Sequence, residues 1–157
     1  MHTVATMTTT TTTRRRPLGL SVPVLFALAA LGVPRVILHD LHLIEGAGPV
    51  TWLLALGPVA VWIAVALLQR VPNPFLTVLV IGVLFGVLLA ATHQVLWQEA
   101  FAGNPPTLGD GATATLLPRI AAIPSGIAVG TAMGAVGGLI AHVLRRATAT
   151  PEQSGTR

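Results

Sequence analysis

The side chains best suited to proton transfer or ion binding form two short clusters in this chain of 157 residues. Imidazole titrates near neutral pH, and ionisable groups inside or beside a membrane commonly line ion pathways. The residues are Arg35, His39, Asp40, His42 and Glu45 in the first cluster, and His93 and Glu99 in the second. Because residues four and seven positions apart share a helical face, Arg35, His39 and His42 lie together if the helix extends that far.

A bound metal or haem is the second chemistry that these clusters permit. Imidazole and carboxylate groups are ligands for zinc, copper and iron, and two histidines from neighbouring helices can ligate a haem. The candidate ligands are His39, His42 and His93, with Glu45 or Glu99. The zinc-protease motif His-Glu-x-x-His is absent from the sequence. We therefore predict no cofactor and keep a divalent metal or a haem as alternatives.

The composition excludes several classes of enzyme and of ligand. The chain has no Cys and no Tyr, and its nine basic residues are all Arg. Thiol catalysis, Schiff-base chemistry on lysine and cysteine-ligated metals are therefore excluded. The arginines punctuate long apolar runs instead of forming one basic patch, so we predict no nucleic-acid partner. Phosphate-binding loops and nucleophile-elbow motifs are also absent, which favours a protein without catalytic activity.

Four long uncharged runs indicate helices that cross a membrane. Hydrophobic residues make up 53% of the chain and charged residues 9%, and the mean hydropathy is +0.78. A bilayer core about 30 Å thick needs roughly 20 apolar residues of helix. We therefore predict an all-α integral membrane protein, a four-helix antiparallel bundle over residues 18–146 with spans near 18–38, 51–69, 75–97 and 119–144. The Thr- and Arg-rich residues 1–17 and the polar residues 147–157 are predicted to be disordered cytoplasmic tails.

The distribution of arginine predicts how the chain crosses the membrane. Cytoplasmic segments beside a membrane are enriched in arginine, and seven of the nine arginines lie in the two tails, the 70–74 turn and the end of the last run. Four crossings place these segments on one side. Both termini are thus predicted to be cytoplasmic in a bacterial inner membrane, the residue usage being typical of GC-rich genomes. Two alternatives concern the start of the chain: the first run as a cleaved signal peptide, and Met7 as the initiator.

A row of small residues in the fourth run predicts close helix packing. In lipid, helices associate through close backbone approach and van der Waals contact. The row recurs every four residues, and the third run carries a shorter one; the members are Ala122, Gly126, Gly130, Gly134 and Gly138, and then Gly82 and Gly86. We predict that these rows pack helices within the bundle, with homodimerisation through the fourth run as the alternative.

The leading functional prediction is a small integral membrane protein that acts without catalysis as an accessory or assembly partner. A helical rise of about 1.5 Å per residue places both polar clusters at the outer boundary, where polar side chains anchor helix ends. The middle of every predicted span lacks a charged residue, which disfavours a transporter with a central site. The alternative is a small transporter or ion- or metal-handling protein that uses the outer cluster of His and carboxylate side chains. Besides the lipid bilayer, a second copy or another membrane protein is the expected partner.

Overall fold

The structure, a computed structural model, is all-helical over the residues that it describes, which are 17–44, 46 and 48–148. Its helices confirm the all-α prediction, and four stretches are long and apolar enough to cross a membrane. The first of these stretches, Val22–Asp40, combines two helices. The helices are α1 (Val22–Ala30), α2 (Val33–Asp40), α3 (Pro49–Leu68), α4 (Pro74–Val95), α5 (Trp97–Ala100) and α6 (Leu116–Thr148).

The first apolar stretch is broken after Ala30, where we predicted one continuous helix. Pro34 has no amide hydrogen, so the carbonyl of Ala30 cannot receive its helical hydrogen bond. The amide of Leu31 donates to the carbonyl of Leu28, three residues back, at 3.2 Å. The indole of Trp62 donates to the same carbonyl at 2.7 Å, so a side chain of α3 holds the break in place. The break separates α1 from α2 just before the first polar cluster.

The tightest packing in the molecule joins α4 and α6 along their two rows of small residues. A Cβ atom added to Gly130 would lie 2.5 Å from the carbonyl oxygen of Gly82, and one added to Gly86 would lie 2.9 Å from the Cα of Ile127. These distances are much shorter than van der Waals contact, so the approach requires glycine. The face that the homodimer alternative would use is therefore covered by α4. The glycines in this interface are Gly82, Gly86, Gly126, Gly130, Gly134 and Gly138.

Contacts between α4 and α6 run in opposite chain order. Gly138, near the end of α6, faces Phe75 at the start of α4. Gly126, in the first half of α6, faces Ala90 near the end of α4. Ala122, the first member of the predicted row, lines a cavity next to this interface. The two rows thus bring the end of α4 and the beginning of α6 to the same end of the molecule.

Helix α3 is the most loosely packed of the long helices. Only 11% of its most apolar window is buried, against 39% for α4. Its anchor is Trp62, which is fully buried and lies against Phe85 with 5.8 Å between ring centroids. The rest of α3 presents large apolar side chains outward, and Leu53 and Leu68 are 70% and 81% exposed.

The helix bounds differ from the predicted spans by a few residues at each end. The largest difference is in α6, which begins at Leu116 and ends at Thr148, whereas we predicted 119–144. Residues 147 and 148 are therefore helical and do not belong to the predicted tail. The remaining residues of the two predicted tails, 1–16 and 149–157, lie outside the described part of the chain.

Candidate functional site

A cavity of about 270 Å³ lies between α2, α4 and α6 at the end of the molecule where α4 ends. Two of its walls carry ionisable side chains, and the third, on α6, contributes small residues that leave room for the cavity. The polar lining consists of Arg35, His39, Asp40, His93 and Ser125. Four of the seven predicted site residues therefore line one cavity, although they come from two clusters more than 50 residues apart in the sequence.

Asp40 is the centre of this site. Its side chain is only 4% exposed, and Nδ1 of His93 lies 2.9 Å from its Oδ2 atom. Nδ1 of His39 lies 3.4 Å from the other carboxylate oxygen, and His39 is 68% exposed. Asp40 is the last residue of α2, and the partial negative charge at a helix C-terminus disfavours a carboxylate there. Hydrogen bonding from a neighbouring helix offsets that cost and the cost of burial.

His93 is held in one orientation by aromatic side chains. Its ring packs edge-on against Trp97 at 5.5 Å and against Phe101 at 5.7 Å between centroids. Because Nδ1 donates to the Asp40 carboxylate, the neutral ring keeps Nε2 as an acceptor. These contacts therefore fix the orientation of the imidazole ring beside the buried carboxylate.

Arg35 lines this cavity and also a smaller one of about 40 Å³. Pro58 and Phe85, which lie near the middle of α3 and α4, line the smaller cavity with it. Arg35 therefore lies beside residues from the middle of α3 and α4 as well as beside the polar cluster near the end of α4.

Two predicted members of the cluster, His42 and Glu99, are not part of this arrangement. His42 was predicted to share a face with Arg35, but α2 ends at Asp40 and His42 adopts a left-handed conformation with φ 55. The amide of Leu43 then donates to the carbonyl of Leu38 at 2.9 Å, which ends the helix and turns His42 outward. Glu99 is exposed on α5, and Glu45 lies outside the described residues.

A second polar contact beside the cavity was not predicted. The amide nitrogen of Gln94 donates to the carbonyl of Arg119 at 2.8 Å, and Nε of Arg119 donates to the Gln94 side-chain oxygen at 3.1 Å. The guanidinium also lies over the ring of Trp97, 5.9 Å from its centroid. This reciprocal contact fixes the end of α4 to the start of α6. The sequence did carry a signal for this contact, because Gln94 and Arg119 both flank apolar runs and lie at the same predicted depth.

The described part of the site has neither a cluster of metal ligands nor a hydrogen-bonded pair of serine and histidine. In the described part of the chain, no group of three or more His, Asp or Glu side chains is placed to hold a metal ion. Ser125 and His93 line the same cavity, but no hydrogen bond joins them. A buried carboxylate, an oriented imidazole and a guanidinium therefore define the chemistry of the site.

Comparison of the chain with protein-family models, with curated proteins and with solved structures finds no match.

Proposed function

We propose that the chain is an integral membrane protein whose four long helices cross the bilayer as an antiparallel bundle. Large exposed apolar faces, such as those of α3, are unfavourable in water and favourable in lipid. The opposite chain order of the contacts between α4 and α6 supports alternating directions. Arg145 donates to the backbone carbonyls of Val71 and Pro72, which ties the arginine-rich end of α6 to the α3–α4 turn. With that end in the cytoplasm, the cavity opens toward the outer face.

Within this bundle, the cavity takes up a proton or a small ion from the outer side. The observation that carries this proposal is the Asp40 carboxylate, which is buried and bonded to His93 of another helix inside an open cavity. A side chain that only anchors a helix end at the membrane boundary would face the headgroups and water. Asp40 faces inward instead, and ionisable residues inside a membrane bundle mark ion or proton paths.

The test is ion flux through the purified protein in liposomes, followed with internal pH-sensitive and halide-sensitive dyes. We expect flux above that of empty liposomes, and we expect Asp40→Asn to lower it at least about tenfold because an amide does not exchange protons as a carboxylate does. Asp110→Asn is the matched control, since Asp110 is exposed on the loop between α5 and α6. Flux equal to that of empty liposomes for both dyes would contradict the proposal.

An accessory role in a larger membrane assembly is the second candidate. The observation that favours it is α3, of which only 11% of the apolar window is buried. Such a face can contact another membrane helix as well as lipid. Absence of flux, together with a stable complex isolated in mild detergent through α3, would favour this role.

A further inference from the structure

We infer that the ion or solute taken up at this site is an oxyanion, a carboxylate or a phosphate group, bound by the guanidinium of Arg35. This inference rests on the proposed function and names the ligand class of the same cavity. A free solute and a lipid headgroup both supply such a group. Three features of Arg35 support this ligand class: its missing hydrogen bonds among the described residues, the charges around it and the space beside it.

The guanidinium of Arg35 has no hydrogen-bond acceptor among the described residues. Its Nε atom is buried without a partner, and none of the side-chain hydrogen bonds in the described part of the chain involves Arg35. A guanidinium carries five N–H donors. The Arg35 side chain is half-buried, and its buried Nε donor without an acceptor is costly, because buried polar groups in native proteins are paired with other groups or with ligands.

The one buried carboxylate nearby is already engaged. Asp40 is bonded to His93 and faces His39, and no ion pair within 4.0 Å joins it to Arg35. Among the described residues, α4 and α6 add no negative charge to the cavity lining, because α4 contributes His93 and apolar residues and α6 contributes Ser125 and apolar residues. No described carboxylate therefore pairs with Arg35 at the cavity.

The space next to Arg35 fits a small ligand. The cavity of about 270 Å³ is large enough for a compact carboxylate or a phosphate group. The planar guanidinium fork matches two oxygens of such a group, which gives it a preference over a spherical halide. His39, which is largely exposed at the cavity rim, is a second donor for an entering anion.

The test is a titration of the purified protein in an uncharged detergent with sodium acetate or inorganic phosphate at constant ionic strength set by sodium chloride. Thermal unfolding and tryptophan fluorescence are recorded, since Trp62 lines the smaller cavity beside Arg35. We expect saturable stabilisation by an oxyanion and at least about tenfold weaker binding in Arg35→Gln, because a charge-assisted bond is lost. Arg146→Gln, at the other end of α6, is the control and should bind normally.

A second readout separates a binding role from a structural one. Without oxyanions, Arg35→Gln should unfold at the same temperature as the wild type or a higher one, because it breaks no hydrogen bond among the described residues and removes a buried Nε donor that has no partner. A lower unfolding temperature in Arg35→Gln, reproduced by Glu45→Gln, would show that the guanidinium has an internal partner and would overturn the inference. Absence of saturable binding to acetate, to phosphate and to phosphatidylglycerol in mixed micelles would also overturn it.

The source of the oxyanion follows from which probe binds. Binding of acetate or inorganic phosphate indicates a free solute, whereas binding of phosphatidylglycerol alone indicates a lipid headgroup, and both support the inference. Failure of this inference can be distinguished from failure of the proposed function. Flux that depends on Asp40 without oxyanion binding overturns only the ligand class, and oxyanion binding without flux overturns only the passage of ions.

Discussion

Substitution of Gly130 by Ala is expected to destabilise the folded monomer by about 1–3 kcal/mol, because the added methyl group overpacks a backbone contact. The new Cβ would overlap the Cα of Gly86 and lie 2.5 Å from the carbonyl oxygen of Gly82. Both neighbours are backbone atoms, so no side-chain rotation can relieve the overlap. The helices α4 and α6 must therefore separate along their whole interface.

The matched control is Gly57→Ala, a glycine in the middle of α3. A Cβ atom there would have no neighbour within 4 Å, so the substitution adds no contact. Alanine has a higher helix propensity than glycine, and we expect the control to be as stable as the wild type or more so. The measurement is unfolding in mixed micelles followed by circular dichroism. Equal loss of stability in both variants would show that the row is not a packing interface in the monomer.

Loss of the Trp62 side chain is expected to cause the second large decrease in the free energy of unfolding. We expect Trp62→Ala to cost about 3–5 kcal/mol, since it removes a fully buried ring that contacts Phe85. Trp62→Phe should cost about 1 kcal/mol, because it keeps much of the packing but removes the hydrogen bond to the carbonyl of Leu28. The same micelle unfolding assay measures both variants.

Trp52, on the same helix, provides the control for this prediction. It is 57% exposed, so Trp52→Ala should change stability much less than Trp62→Ala. Because Trp62 holds the break that places Arg35 in the bundle, Trp62→Phe should also weaken the function assigned to the cavity. A Trp62→Ala variant as stable as Trp52→Ala would contradict the packing described for α3.

The long helices could be predicted from the sequence because their signal is local and strong. Uncharged runs close to the length of a membrane crossing, bounded by Arg and Pro, specify helices whatever their neighbours are. The break after Ala30 also had a local signal, since Pro34 removes one hydrogen bond. Its position depends on Trp62, however, and that contact joins residues far apart in the sequence.

The site could be predicted only in part for the same reason. Equal depth along two helices predicted that the clusters around His39 and His93 would lie at one level. Which residues meet is decided by helix rotation and by the end of α2, which bury Asp40 and turn His42 away. The lack of a hydrogen-bond partner for Arg35 among the described residues depends on how three helices pack, so it could not be predicted from the sequence.

The proposed membrane arrangement would explain several features together. It accounts for the exposed apolar surface, for the glycine interface as the source of close packing and for the arginine-rich end tied to the α3–α4 turn. It also specifies which side of the membrane the cavity faces. If both termini are cytoplasmic, Arg35, Asp40 and His93 face the outer side, and that placement is the central claim from which the proposed uptake follows.

The most direct test of that claim is cysteine labelling in intact cells, which is simple because the chain has no Cys. Single variants at the cavity rim and outer loop, His39→Cys and Asp110→Cys, are compared with Gln69→Cys and Thr148→Cys at the other end. We predict that a membrane-impermeant maleimide labels the first pair in intact cells and the second pair only after permeabilisation. Labelling of His39→Cys and Thr148→Cys from the same side would contradict the account.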